Sequence, residues 1–176
     1  MSSPEISESA VTTLKYSRPK IDGCVTVAGD LKVDFGDSYA DFGLSDKEAA
    51  RLQRAMGLGT RYVVSGEATT ADLCLEASQL LIEGMGVSVR DIDGIVFVTQ
   101  TPDFASPASS VWLQSQLGLR IGSMCFDMRH GCSGFVYGLS VAYALVESGL
   151  DAILLCVGDV ASKIVDAKSH VVAPLM

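Results

Sequence analysis

Apolar residues fall along this chain in two rhythms. In one they run unbroken: IVFVT (Ile95 to Thr99) and AILLCV (Ala152 to Val157) hold apolar residues on both alternating faces, as a strand covered on both sides requires. GSMCFDM (Gly122 to Met128) reads as a further strand, and the β-branched, glycine-bounded run IDGCVTVAG (Ile21 to Gly29) as the first. In the other rhythm they recur at helical spacing. SDKEAARLQRAMGLG starts at an N-cap serine, Ser45, places Ala49, Leu52, Ala55 and Met56 at helical intervals and ends in glycine. TTADLCLEASQLLIEGMG starts at a threonine cap, lines Leu73, Ala77, Leu80 and Leu81 along one face and stops at Gly84 to Gly86. A helix through Trp112 and Leu117 ends at Gly118, and GCSGFVYGLSVAYALVESG is a fourth. RYVVSG (Arg61 to Gly66) reads as a brief extended piece, and LKVDFGDSYADFG before it as a hairpin partner with a loop.

Strand, helix, strand, helix, strand from Asp91 onward demands right-handed crossovers, hence an α/β fold with a mainly parallel sheet and helices on both faces. IVFVT is expected to be its central strand. Residues 1–18 are polar and read as a flexible leader, with the folded domain running from residue 19 to 176.

The fourth helix carries the candidate chemistry. Between Cys132 and Val146 it has no charged residue, which predicts a helix buried all round, with Gly134, Gly138, Ser140, Ala142 and Ala144 keeping it thin enough for close packing. RHGCSGF places Cys132 where a strand turns sharply into that helix. Unpaired N–H groups and the helix dipole favour an anion there, so a thiolate nucleophile is one reading, and the same N–H groups can serve as an oxyanion hole. A small residue buried in a tight turn is a second reading. A Cys/His pair with His130 is a third, weakened because a catalytic base normally comes from elsewhere in a fold.

Composition narrows the classes. A formal net charge of −8 and a pI of about 4.6, with no basic run, exclude a nucleic-acid partner and mean that an acidic carrier would need a local basic patch. The N-terminal stretch lacks the basic and apolar regions of a secretory signal, and no apolar run is long enough to cross a bilayer. A cytoplasmic protein without membrane association is expected. Five cysteines without a CxxC pair or a histidine at ligand spacing support neither disulfides nor a metal site. Cys24, Cys125 and Cys156, inside strand-like runs, are expected in the core, and Cys74 near the packed face of its helix.

From about Gly57 to Ser162 the chain resembles the N-terminal half of β-ketoacyl-acyl-carrier-protein synthase III, a thiolase-like condensing enzyme. The resemblance rests on MGLGTRYV, TTADLCLEAS, DIDGIVFVTQTPD with Pro107 after it, LGL before the FDM strand, GCSGFVYGLSVAYALVESG and LLCVGDVAS, in order. It implies a thiolase-like fold with a buried central nucleophile helix, the chain covering roughly the first of two halves. It implies an acyltransferase in which Cys132 takes an acyl group from a coenzyme A or carrier-protein thioester, before condensation with a malonyl thioester on acyl carrier protein. Gly131, Ser133 and Gly134 would support the turn and the oxyanion. Gln100, Phe104 and Ser106 would line the acyl pocket. No permanently bound cofactor and no metal are implied, and the partners would be acyl carrier protein and either a second copy or a companion chain. Arg51, Ala55 and His170 fall where related enzymes place a tryptophan and arginines for the coenzyme A nucleotide, so that donor is in question. The histidine and asparagine that stabilise the decarboxylated carbanion match no residue here, and the chain is expected to be incomplete at its C-terminal end. Another thiolase-superfamily synthase, of the type III polyketide or hydroxymethylglutaryl kind, or a non-catalytic dimerisation or carrier-binding half, are the alternatives.

Overall fold

A computed structural model describes residues 13–164 of the chain. Its centre is a three-stranded parallel sheet with β3 (Gly94–Thr99) between β4 (Met124–Arg129) and β5 (Ile153–Val157). Gly94 lies level with Met124 on one side and Ile153 on the other. Every residue of β3 is buried, as its unbroken apolar run requires.

Helices cover both faces. α3 (Thr70–Met85) and α4 (Ser109–Leu117) pack on the face that presents Ile95, Phe97, Leu154 and Cys156, forming the main core with Ala71, Cys74 and Leu113. α5 (Gly134–Glu147) packs on the other face, against Val98 and Leu155. The caps read from the sequence are formed. Thr69 N–H donates to Asp72 Oδ2 at 2.9 Å while the Thr69 hydroxyl accepts from Asp72 N–H, and Ser45 and Glu48 close the same box on α2 (Asp46–Met56).

A smaller layer precedes the sheet. β1 (Leu31–Asp34) pairs antiparallel with β2 (Thr60–Val63), and between them α1 (Phe35–Ser38), a 3₁₀ turn (Tyr39–Phe42) and α2 fold over Phe35, Phe42 and Ala49. The Arg61 guanidinium lies over the Phe42 ring, 5.4 Å from its centroid.

Three expectations change. Ile21–Gly29 joins no ladder, and Ile21 and Val25 are exposed. A β-branched run favours extended backbone but does not supply a partner: Val25 to Val27 pass beside α3 and Val157, with a cavity of about 140 Å³ between them. Cys24 is therefore exposed rather than part of the core, whereas Cys74 and Cys156 are buried and Cys125 half-buried. The leader is docked from Tyr16. Its hydroxyl donates to the Ser140 carbonyl at 3.0 Å, its ring meets Tyr143 edge-on, and the Ser17 and Arg18 N–H groups donate to the Glu147 carboxylate.

Asp93 ties the strand starts together. Its carboxylate accepts from Asp151 N–H at 2.6 Å, Ala152 N–H at 3.1 Å and the Arg120 guanidinium at 2.5 Å. The Asp151 and Ala152 N–H donors, helped by Arg120, hold this carboxyl below its ordinary value of 3.8. A depressed carboxyl contributes stability that is present above about pH 4 and is lost as pH falls through its lowered value. Asp93→Ala is expected to cost about 2 kcal/mol at neutral pH, and to flatten the acid limb of stability below about pH 4. Urea unfolding of both proteins across pH 2.5 to 7, in roughly half-unit steps, measures both effects.

Candidate active site

The strand ends of the parallel sheet converge on one loop cluster, and Cys132 sits in it. β4 ends at Arg129, and His130 to Ser133 turn the chain into α5, with Gly134 N–H donating to the Gly131 carbonyl at 2.7 Å. Ser133 caps the helix by its backbone position, and Cys132 lies just ahead of it, exposed. In this chain Cys132 is exposed rather than buried in the turn.

α5 approaches the sheet closely because two of its residues have no side chain. A β carbon on Gly134 would lie 2.8 Å from Val98 Cγ1, and one on Gly138 would lie 2.7 Å from Val98 Cγ2 and 3.0 Å from Leu155 Cδ1. Gly134, Gly138 and Ala142 form the buried stripe. Within this chain α5 is covered along one face only: Phe135, Val136 and Tyr137 are 52%, 63% and 56% exposed. Missing charge says only that a helix has no favoured water-facing side, and this sheet covers a single face.

His130 is engaged elsewhere. Its ring stacks on Tyr137 with centroids 4.8 Å apart, and its Nδ1 lies 3.3 Å from the Ser133 hydroxyl. These contacts hold the turn, Ser133 included, and leave the Cys/His pairing without support.

Of the expected pocket residues, Gln100 reaches the site: its Oε1 lies 3.2 Å from where a β carbon on Gly131 would stand. Phe104 and Ser106 are exposed, and Ser106–Pro107 is a cis peptide. Arg51 and Ala55 sit exposed on α2, and His170 lies outside the described residues.

Sequence reading missed the polar cluster behind the turn. Asp159, two residues past β5, accepts from Thr99 Oγ1 at 2.8 Å, Gln100 N–H at 2.7 Å and Gln100 Nε2 at 2.9 Å. Val160 N–H donates to Thr101 Oγ1 at 3.0 Å and to Thr70 Oγ1 at 3.2 Å, which joins the start of α3 to the cluster. Asp127 on β4 caps α4 in the same way, accepting from Ser109 and Ser110 N–H at 2.8 and 2.9 Å. The sequence shows polar residues at these strand ends, Thr99 to Thr101 and Asp159, but not that they bond one another.

Among the described residues no group of histidine, cysteine and carboxylate side chains could hold a metal ion, and no helix is long and apolar enough to cross a membrane.

The parallel sheet, with an exposed cysteine at the entry to a glycine-thinned helix, has a thiolase-like fold, and comparison with known proteins supports it. The family model of 3-oxoacyl-[acyl-carrier-protein (ACP)] synthase III matches residues 126–176. A Campylobacter jejuni protein provisionally named 3-oxoacyl-[acyl-carrier-protein] synthase 3 is 32% identical over 162 residues, 92% of this chain and 46% of that protein. The crystal structure of a 3-oxoacyl-(acyl-carrier protein) synthase from Burkholderia xenovorans superposes with a TM-score of 0.82 at 27% identity, over 91% of this chain and 46% of the other. A Thermus thermophilus β-ketoacyl-[acyl carrier protein] synthase III gives 0.79 at 26% identity, over 88% and 47%. In sequence and fold the chain is similar to the N-terminal half of 3-oxoacyl-[acyl-carrier-protein] synthases III. It spans about half the length of the relatives it matches.

Proposed function

We propose that this chain is the acyl-accepting part of a condensing acyltransferase. The observation that carries the reading is the exposed Cys132 at the turn into α5, in a chain whose relatives are 3-oxoacyl-[acyl-carrier-protein] synthases. The Cys132 thiolate attacks the carbonyl carbon of an acyl thioester, and the negative charge developing on oxygen is met by backbone N–H groups at Cys132 and the start of α5. The carbon–sulfur bond to the donor then breaks, the donor thiolate leaves and takes up a proton, and the acyl group remains on Cys132. Gly131, Ser133 and Gly134 hold the turn. Gln100 supports the acyl group, with Phe104 and Ser106 completing the pocket once further protein covers them.

In the whole protein, a malonyl thioester on acyl carrier protein would lose carbon dioxide, and its carbanion would attack the acyl-Cys132 carbonyl. That step needs a histidine and an asparagine. The 176-residue sequence contains no asparagine, and His130, the one histidine among the described residues, is held by Tyr137 and Ser133. The asparagine would therefore come from other protein, and the one described histidine is not free for the second role. The same protein, or a second copy of this chain, would cover Phe135, Val136 and Tyr137. A cytoplasmic location suits such thioester substrates.

Incubation of the chain with acyl-coenzyme A, acyl carrier protein thioester and an acyl-N-acetylcysteamine thioester, followed by peptide mass spectrometry, tests the reading. An acyl adduct on Cys132 from at least one donor is expected, with no condensation product on adding malonyl carrier protein. No adduct from any donor would overturn it.

A further inference from the structure

We infer that Asp159 is a positioning residue for Cys132, acting through the side-chain amide of Gln100; the inference rests on the reading of Cys132 as the nucleophile. Asp159 follows β5 in sequence, whereas the groups it holds follow β3. Its Oδ1 accepts from Thr99 Oγ1, Gln100 N–H, Thr101 N–H at 3.2 Å and Thr101 Oγ1 at 3.3 Å. Its Oδ2 accepts from Gln100 Nε2 at 2.9 Å.

The last contact sets an orientation. An ionised carboxylate only accepts, so the Gln100 amide must turn its NH₂ toward Asp159 and its carbonyl oxygen the other way. That oxygen then faces Gly131, 3.2 Å from the position of an added β carbon. Gly131 in turn precedes Cys132 and accepts from Gly134 N–H through its own carbonyl. The carboxylate of Asp159 thus sets the Gln100 amide, whose oxygen stands beside the backbone of Gly131, the residue before Cys132, across residues far apart in sequence. Asp159→Asn would remove the orientation rule, because a neutral amide can accept from or donate to Gln100, and either end of the glutamine could then face the turn.

A loop-closing role alone would end at Thr99 to Thr101. The fold has independent ties there: Val160 N–H donates to Thr70 and Thr101, and Gly158 N–H donates to the Val98 carbonyl at 3.2 Å. Loss of the carboxylate therefore leaves β3 and β5 joined while freeing Gln100.

Amide hydrogen exchange on the full 176-residue chain tests this without any acyl chemistry. Asp159→Asn is expected to speed exchange of the peptide covering residues 129–135 by about tenfold, with β3 and β5 unchanged. Gln100→Ala should reproduce the effect, the double variant should be no worse than either single one, and Asp159→Glu should restore protection. Unchanged exchange in 129–135, an equal rise through β3 and β5, or additive effects in the double variant would each overturn the proposal. A second arm measures transfer from an acyl-N-acetylcysteamine thioester to Cys132. If the wild-type chain accepts the acyl group, Asp159→Asn should slow the maximal rate about tenfold, with the half-saturating thioester concentration unchanged. A wild-type rate retained by that variant would overturn the proposal. If the wild-type chain accepts none of the thioesters used to test it, the functional reading fails, and the exchange result alone decides the role of Asp159 in holding the turn.

Discussion

Cys132→Ala is expected to abolish acyl-adduct formation completely while shifting the melting temperature by less than about 2 °C. The separation follows from where the thiol sits. It is exposed at the turn, so its loss opens no cavity, and exposed substitutions away from special features stay within about 0.5 kcal/mol. The chemistry has no substitute nucleophile in the same place. Cys24 is also exposed but lies in the run beside α3, without a helix N-terminus behind it, so Cys24→Ala should keep the adduct in full. Cys74 and Cys156 are buried together between α3 and β5, where the neighbouring Cys156 thiol and burial hold the Cys74 thiol well above its ordinary value. Iodoacetamide near pH 7 should therefore label Cys132 and Cys24 and spare this pair until the chain unfolds. Intact-mass and peptide spectra of the three proteins give every one of these outcomes; an adduct surviving in Cys132→Ala would move the nucleophile elsewhere.

Gly138→Val is expected to be the most damaging single change to the fold. Its first added carbon would stand 2.7 Å from Val98 Cγ2 and 3.0 Å from Leu155 Cδ1, and Val98 belongs to the fully buried central strand. Replacing a helical glycine normally helps, by up to about 1 kcal/mol. Here α5 must lift from the sheet or Val98 must leave its rotamer. Overpacking of this kind costs about 3 kcal/mol at its upper range, which lowers the melting temperature by about 6 to 12 °C in a chain of this size. Calorimetry measures that shift. Since α5 carries the turn at its start, the same variant should lose Cys132 acylation even below its melting point. An unchanged melting temperature would mean that the close approach of helix and sheet is not tight.

What the sequence revealed, and what it hid, follows from the range of the forces involved. Caps at Ser45 and Thr69 act over three residues, and the apolar run of β3 marks its own burial, so helices, the central strand and the fold class were legible. The run from Ile21 to Gly29 read equally well as a strand, but a ladder depends on a neighbour, and none pairs with it. Cys132 was legible because turn, glycines and helix are contiguous. The Asp159 cluster was not, since its donors lie 58 to 60 residues away and nothing local distinguishes this aspartate from one that caps a loop. The uncharged surface of α5 was legible as a preference for cover, but hydrophobic character does not say which part of a protein provides that cover.

The contacts of Tyr16, Ser17 and Arg18 have a mechanical meaning. α5 is about 21 Å long by its 14 residues, and its stripe of Gly134, Gly138 and Ala142 holds one face to the sheet. The Tyr16 hydroxyl on Ser140 and the Glu147 clasp add a second hold, at the middle and the last residue of the helix, from outside the sheet. The helix that begins beside Cys132 is thereby braced by a tyrosine that enters the fold 116 positions before that cysteine.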